Sequence, residues 1–239
     1  MNTVKIEKGT TRLIAHRGLS GIERENTASA FIAAANRSYW GIETDVYVTA
    51  DGKYILIHDD DTKRVAGVEL SVEGSTFAQL RALTLPDKDG FVRGDLVLPT
   101  PEEYFSICKK YGKIAVFELK NRFQKEQIRE IIDIVKQCGM IEQTIFISFS
   151  FDNMVDLREM LPEGHAQYLY YREITAELVE KCKQYALGLD VRHDRLDKET
   201  VALLKEAGVE INCWTVDDPA RAEELVALGV DFITTNILE

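Results

Sequence analysis

Segments patterned as short buried strands alternate with segments patterned as amphipathic helices along nearly the whole chain, and this alternation calls for a parallel sheet flanked by helices. Arg12 to Ala15 reads as a short strand ending at His16, and Asn26 or Thr27 caps an Ala-rich helix running to about Asn36. Ile42 to Val48 is a strand, the turn Thr49-Ala50-Asp51-Gly52 follows, and Lys53 to Ile57 is a second short strand. Beyond a strand at 114–119, helices at 125–137, 151–160, 176–185, 198–207 and 219–228 alternate with strands at 144–148, 167–171, 186–190, 209–214 and 231–235. Gly139, Gly208 and Gly229 stand where helix ends favour glycine, and Asp197 and Asp218 where helix starts favour a capping carboxylate.

The strand count separates a closed barrel from an open sheet. The link between Val48 and Lys53 is far too short for a crossover helix, which needs roughly a dozen residues, so 53–58 is expected to return as a hairpin arm. The remaining strands, at 12–16, 42–46, 114–119, 144–148, 167–171, 186–190, 209–214 and 231–235, number eight. That is the number of a TIM-like (β/α)8 barrel, and a chain of 239 residues is the usual size for one such domain, 1–239. A doubly wound open sheet fits less well, because no Gly-rich dinucleotide turn follows the first strand.

Residues 59–98 break the rhythm and are too long for an ordinary connection. We expect a small insertion that caps the C-terminal face of the strands, with Val65, Val68, Leu70, Val72, Phe77, Leu80 and Leu83 burying an apolar face. A helix then starts at Pro99-Thr100-Pro101 and runs through Lys110.

Charge narrows the partners. A net charge of −11 disfavours nucleic acid and anionic membranes, and no apolar run is long enough to span a bilayer. Residues 1–10 lack the apolar stretch of a signal peptide. Cys108, Cys138, Cys182 and Cys213 have no C-x-x-C spacing and lie in apolar periodic segments, which suits free thiols in a reducing cytoplasm. The sequence leaves the oligomeric state open.

Barrel enzymes carry their chemistry at the C-terminal ends of the strands. Those ends here read His16-Arg17-Gly18, Glu43-Thr44-Asp45 and Glu118-Leu119-Lys120, and the hairpin arm ends in His58-Asp59. Side chains two apart in a strand share a face, so Glu43 pairs with Asp45 and Glu118 with Lys120, while Ile42, Thr44, Val46 and Leu119 face the helices. Three carboxylates converging in a barrel must take up protons or bind a cation, and an all-oxygen set suits Mg²⁺ or Ca²⁺. Each alone is a common surface acid; three at neighbouring strand ends are not. His16 and His58 fall at the same face and can act as an acid/base pair. Arg17 and Lys120 can meet phosphate oxygens, although pairing with the nearby carboxylates also accounts for Lys120. His165 and His193 lie outside this pattern and read as structural.

These motifs, together with Glu25-Asn26-Thr27, the turn at Thr49 to Gly52 and Trp214-Thr215-Val216, resemble the glycerophosphodiester phosphodiesterase family in kind and order, from about Leu13 to Asn236. The resemblance implies a TIM-barrel enzyme that hydrolyses glycerophosphodiesters to sn-glycerol 3-phosphate and an alcohol with one divalent cation. It implies Glu43, Asp45 and Glu118 as metal ligands, His16 and His58 as the acid/base pair, and Arg17 and Lys120 near the phosphate. Trp214, at a strand end, either packs against the glycerol carbons or is plain core. Three departures stand out: Arg24 replaces the proline of the family's Pro-Glu-Asn-Thr motif, the segment Asp59 to Gly67 follows the family pattern loosely, and Thr234-Thr235-Asn236 lacks the usual aspartate and proline.

The expected reaction is acid/base cleavage, with the cation and Arg17 neutralising phosphate charge. The nucleophile is water or the substrate's own glycerol hydroxyl, and the order in which the histidines act is open. Two rival readings are a phospholipase C- or D-like enzyme acting on intact lipid and a non-catalytic binder of phosphate esters. The first needs a basic or apolar membrane-facing surface that this composition does not suggest. The second has little need for both His16 and His58.

Overall fold

A computed structural model describes residues 2–239. Nine strands occur among them: β1 (Arg12–Ala15), β2 (Gly41–Val48), β3 (Tyr54–Leu56), β4 (Ile114–Leu119), β5 (Thr144–Ser148), β6 (His165–Tyr170), β7 (Gly188–Arg192), β8 (Ile211–Trp214) and β9 (Phe232–Thr235). The helices are α1 (Ala28–Ala35), α2 (Lys63–Ala66), α3 (Phe77–Arg81), α4 (Pro101–Tyr111), α5 (Lys125–Gln137), α6 (Phe151–Met160), α7 (Ala176–Gln184), α8 (Lys198–Glu206) and α9 (Pro219–Leu228). Eight strands run parallel in the order β1-β9-β8-β7-β6-β5-β4-β2, and β1 pairs with both β9 and β2, which closes the barrel. β3 adds antiparallel to β2, Val46 opposite Leu56, as the hairpin arm the short link requires.

Period-two alternation sorts side chains into two shells. Ile14, Val116, Ile145, Ile147, Leu169 and Phe232 fill the barrel interior. Ile42, Val46, Leu119, Leu189 and Val191 point outward into the layer shared with the helices. On α5 the buried residues Ile128, Ile131, Ile132 and Val135 recur at helical spacing. Each contributes about 1.5–3 kcal/mol by leaving water, so Ile131→Ala would cost roughly 2–5 kcal/mol with its cavity.

Strand limits differ from the sequence reading by up to about two residues, most clearly at β7. The sequence suggests a strand from 186, but β7 begins at Gly188 because Ala186, at φ +50°, caps α7 in the left-handed region. Its N–H reaches Lys183 O and that of Leu187 reaches Cys182 O, so the helix-ending motif uses alanine where glycine is usual.

Residues 59–98 are folded. Val65, Val72, Leu80, Leu85, Leu96 and Leu98 pack with Tyr47, Ile55 and Ile57 of the hairpin as a second apolar cluster, with Leu70 and Phe77 at its edge. Val68, expected in that face, is 51% exposed, because the cluster draws on Leu85, Leu96 and Leu98 instead. Arg24 ties the segment to the barrel: its Nε donates to Pro86 O at 2.6 Å and a terminal nitrogen to Asp87 O at 2.7 Å. Lys88 donates to Ser20 O at 2.6 Å, and Arg64 forks onto Glu25 with both contacts at 2.7 Å. No helix among the described residues is long and apolar enough to cross a membrane.

Candidate active site

The loop after β1 shapes the site. Arg17 takes φ +55° and Gly18 φ +75°, and a Cβ on Gly18 would lie 2.6 Å from the Ala30 backbone, so only glycine fits there. This turn aims the Arg17 N–H at Glu43 Oε2, 2.7 Å away. The Arg17 side chain runs between Glu25 (2.9 Å) and Asp45 (3.7 Å). Asn26, in a left-handed conformation at φ +50°, donates to Asp45 Oδ2 at 2.7 Å and accepts from Thr44 at 2.7 Å. The cap of α1 falls to Thr27, whose hydroxyl accepts from the Ala30 N–H. Asn26 therefore orients a carboxylate, a role that reading it as a possible helix cap missed.

Glu43, Asp45 and Glu118 are all buried, and each offers an oxygen within 4.8 Å of the others. Lys120 Nζ lies 3.2 Å from Asp45 Oδ1 and 3.0 Å from Glu118 Oε1. Neither oxygen has a properly aligned hydrogen-bond donor. Burial, with the charges of Asp45 and Glu118, pushes the Glu43 carboxyl well above the usual carboxylate range. Burial also raises Glu118, and although Lys120 pulls the other way, Asp45 helps carry it to about 7. Burial acts on Asp45 too, but Lys120 and Arg17 outweigh it and hold that carboxyl below the usual range. An oxygen-only, buried, charge-deficient cluster with two unsatisfied oxygens fits a divalent cation, and it could hold one.

The histidines flank this cluster. His16 Nδ1 meets Asn236 Oδ1 at 2.8 Å. Asn236 cannot turn its amide around, because its Nδ2 donates to Asp217 at 2.6 Å and its backbone N–H to the same carboxylate at 2.8 Å. Asn236 Oδ1 must then accept, also from Ser20 at 2.7 Å, so Nδ1 of His16 carries the proton and Nε2 is the free acceptor. Burial and Arg17 lower the His16 pKa to about 4, against the opposing Asn236 hydrogen bond, so the ring is neutral. His58 Nδ1 contacts the Asp59 carboxylate at 2.6 Å, which Arg64 fixes at 2.6 Å. Burial lowers the His58 pKa as well, while Asp45 opposes the change.

A cavity of about 100 Å³ opens between the two histidines, lined also by Arg17, Glu43, Glu118 and Trp214. Wider clefts of about 690 and 610 Å³ adjoin it, one beside His58 and Lys120, the other beside His16 and Lys88. Trp214 is partly exposed and edge-on to Phe149, with ring centroids 5.5 Å apart. His165 sits at the opposite end of the barrel, bonded to Glu210 at 2.6 Å, and His193 lies in a short turn after β7. Neither lines this cavity. The sequence reading did not find Asn236, the partner of His16, or Asp217, which holds Asn236; they come from just past β9 and from the loop after β8, about 200 residues away.

Comparison with known proteins places the arrangement. Residues 16–239 match the Glycerophosphoryl diester phosphodiesterase family. A glycerophosphodiester phosphodiesterase from Caldanaerobacter subterraneus subsp. tengcongensis is 29% identical over 228 residues, covering 95% of this chain and 94% of that protein. The crystal structure of a glycerophosphodiester phosphodiesterase from Parabacteroides distasonis superimposes with a TM-score of 0.80 at 29% identity, over 96% of this chain and 94% of that one. A phosphodiesterase from Oleispira antarctica, solved with the product sn-glycerol-3-phosphate, shares the fold with a TM-score of 0.84 at 24% identity, over 94% and 92% of the two chains. The chain belongs to the glycerophosphoryl diester phosphodiesterase family.

Proposed function

We propose that this chain hydrolyses glycerophosphodiesters to sn-glycerol 3-phosphate and an alcohol, with one divalent cation, Mg²⁺ or Ca²⁺, held by Glu43, Asp45 and Glu118. The observation that carries the proposal is the convergence of these three carboxylates within 4.8 Å of one another, two of them, Glu43 and Glu118, lining a cavity flanked by His16 and His58. When bound, the cation would neutralise negative charge on the phosphate oxygens. Arg17, held between Glu25 and Asp45, would add a fixed positive charge on the same side.

The two histidines have different partners, and we assign their roles from that difference. His16 leans on an amide and stays neutral with Nε2 bare, which suits a general base acting on the nucleophile. His58 leans on a carboxylate, which opposes the lowering of its pKa by burial, and this difference from His16 suits the acid that protonates the departing alkoxide. Lys120 balances the carboxylates and would lie near the phosphate. Residues 59–98 would act as a cap that screens the site from bulk water and helps select the alcohol portion. The four unpaired cysteines suit a cytoplasmic location.

Incubation with glycerophosphocholine and with phosphatidylcholine vesicles, each with and without chelator, tests the reading. The expected result is release of sn-glycerol 3-phosphate from glycerophosphocholine alone, abolished by chelator and restored by Mg²⁺ or Ca²⁺. Turnover of intact lipid at a comparable rate, or activity indifferent to chelator, would overturn it.

A further inference from the structure

Among the described polar side chains inside the barrel, one carboxyl has no hydrogen-bonding or charged partner among the described residues. On the interior faces of β6, β8 and β9 the polar groups satisfy one another: Asn212 donates to Gln167 at 3.1 Å, Gln167 to Glu210 at 2.7 Å, and Thr234 to Asn212 at 3.3 Å. Asp190, in the middle of β7, is 2% exposed, and its Oδ1 has no hydrogen bond. Its neighbours Leu189 and Val191 point out into the helix layer, so Asp190 points in, and it lines the small cavity of the site. Leaving a buried carboxyl unmatched costs about 1–3 kcal/mol or more, so a group of this kind that lines a cavity calls for a functional explanation.

Its place in the barrel suggests which part of a ligand it meets. In the closed strand order, β7 and β8 lie across the barrel from β2 and β4, which carry Glu43, Asp45 and Glu118. The cavity is thus lined by Glu43 and Glu118 from β2 and β4 and, on the β6–β8 side, by Leu169 and Trp214, which neighbour Asp190. Its volume of about 100 Å³ is small beside the 690 and 610 Å³ of the adjoining clefts, so it suits the smaller half of a diester.

We propose that Asp190 is the specificity residue for the glycerol half of the substrate, hydrogen-bonding the terminal hydroxyl farthest from phosphorus. Leu169 and Trp214 take the C–H faces of the glycerol, and the alcohol half lies in the wider clefts outside. Burial, reinforced by Glu118 and Glu210, pushes the Asp190 carboxyl well above the usual range, so it can both donate to and accept from a hydroxyl. The inference rests on the function proposed above and adds the group that distinguishes glycerol from its deoxy analogue.

The test compares kcat/KM for glycerophosphocholine and for (2-hydroxypropyl)phosphocholine, which lacks only the terminal hydroxyl. The unaltered protein should prefer the glycerol diester by roughly 10- to 100-fold, the worth of a hydrogen bond to a buried group left unmatched. Asp190→Leu should reduce that preference to about unity, and Asp190→Asn, which keeps a donor and an acceptor, should retain most of it. A preference undiminished in Asp190→Leu, or lost as fully in Asp190→Asn, would overturn the assignment. Should the leucine variant not fold, inhibition of the unaltered protein by sn-glycerol 3-phosphate and by 2-hydroxypropyl phosphate decides it: tighter inhibition by the former supports the role, and equal inhibition refutes it. Failure of the unaltered protein to cleave glycerophosphocholine would instead refute the function proposed above.

Discussion

Replacing Lys120 by methionine should destabilise the cation-free protein, and added cation should largely repair it. Lys120 Nζ lies 3.2 Å from Asp45 and 3.0 Å from Glu118, with the lysine side chain 10% exposed. At an effective dielectric of about 20, a charge pair near 3 Å is worth roughly 5 kcal/mol before desolvation is counted. Removing one partner of a buried charge cluster costs about 3–5 kcal/mol. Glu43 already sits well above the usual carboxylate range, so proton uptake absorbs part of the loss, and about 3 kcal/mol at pH 8 is the expected net cost. For a chain of this size that lowers Tm by about 6–12 °C. A bound divalent cation supplies the missing positive charge, so Mg²⁺ should raise the Tm of Lys120→Met by several degrees more than that of the unaltered protein. Differential scanning calorimetry in chelator and in Mg²⁺ measures both. Equal melting of the two proteins in chelator would refute the view that Lys120 is the counter-charge of the carboxylate cluster.

Removing either histidine of the proposed acid/base pair, by His16→Ala or His58→Ala, should lower kcat by roughly 10²–10⁴ with the fold intact, whereas His165→Ala should leave kcat unchanged; turnover near that of the unaltered protein in a site variant would make that histidine structural. The Glu118 carboxyl, raised to about 7, binds a proton in the folded state between the ordinary carboxylate range and about 7 when the unfolded chain does not, so cation-free stability should fall as pH rises through that window. A cation must displace that proton, so the Mg²⁺-induced rise in Tm should be larger at pH 8 than at pH 5.5, and the reverse order would contradict the assignment. Arg24→Ala removes the bonds to Pro86 and Asp87 and should speed proteolysis within residues 86–95, as read by mass spectrometry of the fragments; unchanged cleavage would show that Arg24 does not hold the segment down.

The barrel was legible because its signal is local and repeated. Each strand and helix carries its own period, and the short link after Val48 distinguishes the hairpin arm from a barrel strand. The carboxylates and histidines could be read because strand ends fix where side chains gather. What escaped notice depends on contacts distant in sequence. Asn236 meets His16 across 220 positions, and nothing in the local pattern of Thr234-Thr235-Asn236 marks that contact. Asp190 lies in an apolar strand and looks like one more strand acid until the closed barrel shows its neighbours bonded to one another and Asp190 left without a hydrogen-bonding or charged partner among the described residues. Arg24 stands out in sequence as a departure from the family's proline; only the fold shows it gripping the insertion.

Diffraction from crystals soaked in Mn²⁺, with data collected to record its anomalous signal, tests the central claim most directly. Mn²⁺ favours the same oxygen ligands as Mg²⁺ and marks its own position. The account predicts one strong peak between β2 and β4, with an oxygen of each of Glu43, Asp45 and Glu118 within about 2.0–2.6 Å. No peak at these carboxylates at saturating Mn²⁺, or a peak that engages only one of them, would contradict it.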